Sequence, residues 1–441
     1  MNTKTELIKP DLSLPDPKSI VRRTLDNGIT VLARDNFLSP SVVLRGYLRV
    51  GSVDDPPEQA GLASFTADML DHGTRSRTFD EISESIESIG ASLGIGGGLH
   101  VSSFGIKCLA EDLDHVLGIL ADVLRNPIFP EGETEKVRGQ LVTALQERDN
   151  DTRGVANLAF LKLAYPDGHP YGRSSDGYVE TVGTIVRDDL AEFYHRYFRP
   201  TDAIITVAGA VDPEDAISKV EKVLGDWQPA GPRPPQDVPD IRFSSGEAEL
   251  TEVRREVREM PDKYQTDVVL GAPGIARDDP DYYSARLANT ILGTFGMGGR
   301  LGDKVRDEQG MAYYVYSQLS AHLGRGPWRV VTGVNPVNVE RAIDIILAEI
   351  HRIQDEPVSE QEIDDAKSYL TGSLPLGLET NEGVAGTLRD MELFDLGLDY
   401  LQRYPDLINS VTIEQIQKAA QRVFLRDAYA LSIAGPPNRE P

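Results

Sequence analysis

Across 441 residues the sequence has one cysteine, two tryptophans and seven histidines. A lone Cys108 excludes an intramolecular disulfide; it lies in SSFGIKCL, an apolar stretch that reads as a strand, so a buried thiol is expected. The histidines, His72, His100, His115, His169, His195, His322 and His351, never stand four apart. That excludes the H-x-x-x-H pairing that sets two imidazoles on one helical face around a metal. No apolar run approaches the roughly 18 residues that a membrane helix needs. The first residues, MNTKTELIKPDLSLPDPK, lack both the apolar core of a secretory signal and the arginine-rich amphipathic pattern of a transit peptide. A soluble cytoplasmic protein is expected, with no membrane partner. Cations are scarce as well: 45 lysines and arginines face 70 acidic residues, a formal net charge of −25. This balance disfavours nucleic acid and anionic membranes, which attract cationic surfaces, and favours basic peptides.

What is present is a globular composition, 40% hydrophobic and 26% charged, long enough for two large domains. The segment LDHVLGILADVLRNPIFPEGETEKVRGQL reads as a helix, a proline-containing loop and a second helix, and VERAIDIILAEIHRIQDEPVSEQEIDDAKSYL answers it in the second half. Further on, IVRDDLAEFYHRYFRPTDAIITVAG pairs with VTIEQIQKAAQRVFLRDAYALSIAG. Matching Leu141 to Leu370, Phe198 to Phe424 and Gly209 to Gly435 keeps a nearly constant separation. Two copies argue duplication of one α+β unit and exclude a solenoid.

Each half opens on strand-like sequence. In the first half these stretches are IVRRTLDNGITVLARD, with a hairpin signal at Asn27 and Gly28, and SVVLRGYLRVGS. Amphipathic helices follow, then a closing strand such as Ala203 to Val207. The proline-rich, polar stretch from Gln228 to Glu247 reads as a linker. The expected architecture is α+β, with an N-terminal extension over residues 1–19, a first domain over 20–230, a linker at 231–246 and a second domain over 247–441. Helices are expected on one face of each sheet. The cluster GIGGG at Gly94 to Gly98 lacks the Lys-Ser/Thr ending of a phosphate loop and precedes strand-like HVSSFGI, so a strand or loop edge is expected there.

The segment GLASFTADMLDHGT, from Gly61 to Thr74, resembles the frame G-x-A-H-F-x-E-H-M-L-x-x-G-T of the pitrilysin/insulinase family of zinc metallopeptidases. Gly61, Ala63, Phe65, Met69, Leu70, Gly73 and Thr74 match it without a gap. The resemblance puts Ser64 and Asp68 where the zinc-binding histidines belong and Ala67 where the glutamate base belongs. It puts Ala144, in VRGQLVTALQERDND, where a glutamate supplies the third ligand. Such chemistry needs two imidazoles one turn apart and a carboxylate to deprotonate the metal-bound water, so no metal is expected in this chain. Asp68, Asp71 and His72 offer a displaced acid-x-x-acid-His pattern, but the Gly73-Thr74 anchor puts the last two at the helix end.

The second half carries GTFGMGGRLGDKVRDEQGMAYYVYSQL, read as a glycine-rich turn, a helix ending near Glu308, a stop at Gly310 and a tyrosine-rich strand. It is similar to the family's signature in the same place, which implies that Arg306 and Tyr313, seven apart, reach across a chamber toward a zinc site and serve as substrate-binding and catalytic groups. The segment YPDGHPYGR, Tyr165 to Arg173, also resembles a family segment, with one extra residue at Gly168; a structural role is expected. The resemblance spans Ile20 to Gly435. Some bacterial members of the family are heterodimers in which one half-length chain holds zinc and the other holds the arginine and tyrosine. Degenerate members serve as partner subunits in mitochondrial processing peptidase and as core subunits of a respiratory complex. This chain looks like the arginine and tyrosine subunit: non-catalytic alone, paired with a zinc-bearing chain that keeps an intact H-x-x-E-H, and acting on peptides. The alternatives are an inert peptide-binding or scaffold protein, a homodimer included, and an autonomous peptidase with a rebuilt metal site at Asp68, Asp71 and His72.

Overall fold

Short apolar runs separated by turn residues build two sheets in the computed structural model, which describes residues 14–201, 203–229, 231, 250–294, 298–424 and 427–437. The linker expected at 231–246, apart from Gly231, lies outside the described residues, as do most of the N-terminal extension and residues 295–297 of the glycine-rich turn. The first sheet contains β1 (Val21–Thr24), β2 (Thr30–Asp35), β3 (Ser41–Leu48), β4 (Ser92–Gly96), β5 (Ser102–Leu109) and β6 (Ile204–Gly209), in the order β1-β2-β6-β3-β5-β4. The second contains β7 (Arg254–Glu259), β8 (Thr266–Pro273), β9 (Ala312–Leu319), β10 (Pro327–Val334) and β11 (Ala430–Gly435), in the order β7-β11-β8-β10-β9.

Apart from β1, the two sheets are wired alike. β2 runs parallel to β6 as β7 runs parallel to β11, and every other pairing is antiparallel. The sequence repeat is therefore a repeat of topology. Gly209 and Gly435, matched in the repeat, end β6 and β11 where the backbone packs without room for a side chain: a Cβ would come within 2.2 Å of the Ser41 carbonyl oxygen and 2.3 Å of the Thr266 Oγ1. The Asn27-Gly28 turn joins β1 to β2, with Gly28 at φ 93° and the Asn27 amide donating to the Leu224 carbonyl at 2.7 Å. The repeated helical hairpins form as Leu113–Arg125 with Glu131–Asp149, and Val339–Asp355 with Glu360–Gly377.

Helices cover both faces of each sheet, where one covered face was expected. The reason is in the strands: β6 and β11 are buried at every position, so neither face can be left to water. On one face of the first sheet, Val31, Val42, Leu44 and Val207 pack with Val116 and Leu120 of its own helical hairpin. On the other, Leu32, Val43, Ile204 and Ala208 meet Val384, Ala385 and Leu388 of helix Asn381–Leu393, which comes from the second half. The exchange is reciprocal. Helix Thr152–Ala164 of the first half places Ala156, Phe160 and Ala164 against Val269, Val331, Ala430 and Ala434 of the second sheet.

Thr152 and Asn381 open the exchanged helices at the separation that relates Leu141 to Leu370. Both tie into the opposite sheet: Thr152 Oγ1 donates to Asp267 Oδ2 at 2.5 Å, and the Asn381 amide donates to the Ser41 carbonyl at 3.1 Å. Burying one large apolar side chain is worth about 1.5–3 kcal/mol, so the few each helix contributes bind the halves by several kcal/mol. Among the described residues no helix is long and apolar enough to cross a membrane.

Candidate functional site

The helix matching the zinc-peptidase frame is short, Leu62–Asp68, and its start is held by a buried carboxylate. Asp55 accepts hydrogen bonds from the Gly61 and Ala63 amides, both at 2.8 Å, and thus caps a helix whose own N-cap is a glycine. Gly61 is required at φ 97°, where a Cβ would also press on the Asp176 carbonyl at 2.8 Å. Burial pushes the Asp55 carboxyl up to about 7, against the two amides and Arg173, which favour its charged form.

The positions that the resemblance assigns to zinc handling have other surroundings. Ser64 is buried, and its hydroxyl donates to the Ser175 carbonyl at 3.0 Å. Gly97 packs straight onto it: a Cβ there would stand 2.4 Å from Ser64 Cα. The glycine cluster is thus the end of edge strand β4 and a close approach to this helix, in keeping with the strand-edge expectation. Ala67 is fully buried in the first core, and Ala144 presents an exposed methyl on helix Glu131–Asp149. Asp68 is partly buried, and burial, with Asp176 and Asp71 adding like charge against the opposing His72, pushes its carboxyl up to about 7. Hydroxyl, methyl and protonatable carboxyl do not make a zinc donor set, so the residues present do not fit the family's metal.

Asp71 and His72 stand past the helix end, as the Gly73-Thr74 anchor requires. His72 shares a hydrogen bond with Asp71 at 3.0 Å and stacks on Phe79 with ring centroids 4.5 Å apart. Among the described residues no group of three or more His, Cys, Asp or Glu is placed to hold a metal ion. Cys108 is buried in β5, and burial pushes its thiol up to about 11.

Arg306 lies on helix Gly302–Asp307 and is partly buried. Its carbonyl accepts from the Gly310 amide at 2.8 Å, and Gly310, at φ 61°, reverses the chain into β9. β9 is the edge strand of the second sheet and the topological counterpart of β4. Tyr313 sits near its start with 84% of its surface exposed, whereas the next tyrosine, Tyr314, turns inward and donates to Asp267. One short connection therefore presents both sequence-chosen residues on consecutive elements of the second half, while Ser64, Ala67, Asp68 and Ala144 belong to helices of the first.

Sequence reading missed the groups that join the halves around this region. Tyr171 OH accepts from the Gly324 amide at 3.1 Å and bonds His100 Nε2 at 2.5 Å, and Tyr165 OH donates to the Arg325 carbonyl at 3.0 Å. The YPDGHPYGR segment is thus an inter-half clasp. Burial holds the His100 imidazole down at about 3 and His169 at about 4, so both stay neutral. The tyrosine and histidine content of the segment was the available signal, but nothing in it names the loop it would meet. Asp55, next to the proline pair Pro56-Pro57, carries no spacing that marks it as a cap.

The family profile described as Insulinase (Peptidase family M16) matches residues 30–169, and that described as Peptidase M16 inactive domain matches residues 184–370. An uncharacterized zinc protease of Streptomyces coelicolor is 27% identical over 426 residues, covering 95% of this chain and 90% of that protein. Another, from Bacillus subtilis, is 25% identical over 422 residues, covering 96% of this chain and 100% of that protein. The crystal structure of a peptidase M16 inactive domain from Pseudomonas fluorescens superposes with a TM-score of 0.86 at 25% identity, covering 96% of this chain and 99% of that one. With the two profiles falling on the two halves and these similarities running nearly end to end, the chain belongs to the insulinase family of peptidases, family M16.

Proposed function

We propose that this chain is the non-catalytic subunit of a heterodimeric zinc endopeptidase, supplying Arg306 and Tyr313 to a partner chain that bears the zinc and an intact H-x-x-E-H. The observation that carries the reading is the contrast between two sites in one fold: Ser64, Ala67 and Ala144 have no donor set for zinc, yet Tyr313 is held exposed on an edge strand beside the helix of Arg306. A tyrosine with 84% of its surface exposed contributes little to the core.

The chemistry follows from the chain's own groups. β9 stands at an edge of its sheet with β10 as its one strand neighbour among the described residues, so an extended peptide can add along its outer side short of Ser317, whose carbonyl already accepts from Asn289 and Thr294. Attack on a peptide carbonyl in the partner's site develops negative charge on its oxygen. A phenol and a guanidinium aimed there stabilise that charge or fix the substrate backbone. The net charge of −25 favours basic peptides. We place the complex in the cytoplasm, consistent with a single unpaired thiol, and divide the chain at 231–246 into domains 20–230 and 247–441.

The test is kinetic. In the pair reconstituted from this chain and its zinc-bearing partner, Arg306→Ala is expected to lower kcat about 100-fold, the scale for loss of one oxyanion donor. Tyr313→Phe is expected to lower it by a smaller factor, and both variants assemble normally by gel filtration. Unchanged turnover in both variants removes Arg306 and Tyr313 from the site.

A further inference from the structure

A second constellation lies away from Arg306 and Tyr313. Helices Tyr282–Asn289, Glu360–Gly377, Asn381–Leu393 and Tyr400–Asn409 enclose a cavity of about 430 Å3 whose lining includes Arg277 and Arg286 with Tyr282, Tyr400 and Tyr404. That volume falls in the ~300–1,000 Å3 range of small-ligand sites. Arg277 is buried, at 9% exposure. Its guanidinium lies 3.9 Å from the ring centre of Tyr282 and donates to Tyr400 OH at 3.1 Å. Arg286 sits 5.7 Å from the ring centre of Tyr404 and hydrogen-bonds Tyr282.

A guanidinium as buried as that of Arg277 is costly without a counter-charge, and Arg286 adds a second positive charge to the same cavity. Among the described residues neither has a carboxylate partner, and the nearby carboxylates are engaged elsewhere. Asp279 and Asp281 both pair with Arg422, the first at 2.5 Å. Asp390, which also lines the cavity, is held by Arg389 at 3.3 Å and by Tyr47 OH at 3.2 Å. The phenols cannot supply the charge, since burial raises Tyr400 and Tyr404 above the ordinary tyrosine range despite the neighbouring arginines. The lining also includes the apolar side chains Leu374, Met391, Phe394 and Leu401, the Phe394 ring centre lying 5.9 Å from the Arg277 guanidinium. Tyr282 and Arg286 are only partly buried, so the cavity opens to solvent beside them.

We infer that this cavity binds a carboxylate carried on an apolar body, the charge on Arg277 and Arg286 and the apolar part against Leu374, Met391 and Phe394. Arginine forks match a carboxylate in two hydrogen bonds, and the tyrosine hydroxyls complete its shell. The carboxylate has two sources with the same chemistry: the C-terminal residue of a peptide, or a free apolar acid. The site does not depend on the zinc-bearing partner.

Calorimetric titration of the full chain tests it, with N-acetyl-phenylalanine and N-acetyl-phenylalaninamide as probes and a hexapeptide ending in phenylalanine in acid and amide forms. The acids are expected to bind saturably and at least 10-fold more tightly than the amides. Tighter binding of the hexapeptide acid points to a peptide C-terminus, and tighter binding of the small acid to a free metabolite; either supports the site. Arg286→Gln is expected to weaken the acids at least 10-fold with little effect on the amides, and Arg286→Lys, which keeps the charge and loses the fork, to fall between. Acid and amide binding alike, no binding of either, or an unchanged affinity in Arg286→Gln overturns the proposal.

Discussion

Thr152 and Asp267 belong to opposite halves of the chain, and the threonine hydroxyl donates to the carboxylate across 2.5 Å in the interior. The contact lies where helix Thr152–Ala164 enters the second sheet, and Tyr314 donates to the same carboxylate from β9. Losing a hydrogen bond to a buried charged acceptor costs about 1–3 kcal/mol. Thr152→Val is therefore expected to lower stability by that amount in urea unfolding. Because each half lends a helix to the other, wild type and variant should each unfold in one transition, with tryptophan fluorescence and far-ultraviolet circular dichroism coinciding. Two separated transitions would show that the exchanged helices do not couple the halves.

The clasp between His100 and Tyr171 makes the fold acid-sensitive. The folded imidazole titrates at about 3 and the unfolded one near 6.5, so the unfolded chain binds the extra proton between those values. Stability from this group is complete above pH 6.5 and is lost as pH falls. Relative to His100→Gln, wild type should lose about 2 kcal/mol between pH 6.5 and 5. Parallel stability curves over that window would mean that His100 is free to protonate in the folded chain.

Asp68 acts in the opposite sense. Its carboxyl is raised from 3.8 to about 7, so the folded state favours the protonated form and the cost of ionising it grows as pH rises from about 4 to 7. Asp68→Asn removes that cost. The variant should match wild type near pH 4 and exceed it by up to ~4 kcal/mol at pH 8, read from melting curves at the two values. A variant less stable than wild type at pH 8 would assign the carboxylate a favourable partner.

Restoring one imidazole should not be neutral. Ser64→His must displace the Gly97 backbone and break the bond to the Ser175 carbonyl. A loss of about 1–3 kcal/mol is expected from overpacking and the unpaired carbonyl. Unchanged stability together with zinc uptake would show that the site can still be rebuilt.

Much of the fold was legible because period and punctuation are local properties. The Asn27-Gly28 hairpin, the repeated helical hairpins and the Gly310 reversal into β9 follow from turn chemistry and apolar spacing. The exchange of helices was not. An amphipathic helix such as Asn381–Leu393 declares that Val384 and Leu388 need cover, but not that Val43 and Ile204 of the other half will provide it. The same limit applies to the charged groups. Nothing in the sequence singles out Arg277, in the turn after β8, or Arg286, on helix Tyr282–Asn289, and only the fold gathers them with Tyr282, Tyr400 and Tyr404 around one cavity. Ser64 and Asp68 stand out in the sequence because the frame around them is ungapped, but the bond from Ser64 to the Ser175 carbonyl and the close approach of Gly97 to Ser64 depend on segments distant in sequence.

The most direct measurement is capture of the tagged full-length chain from its native cell, with co-purifying proteins identified by mass spectrometry and the recovered complex assayed for zinc-dependent peptide hydrolysis. The expected result is a similar-sized family M16 chain with an intact H-x-x-E-H, in equal amount, and hydrolysis that neither chain performs alone. Recovery of this chain only with itself, or with an unrelated membrane complex and without hydrolysis, would contradict the subunit assignment and leave an inert scaffold.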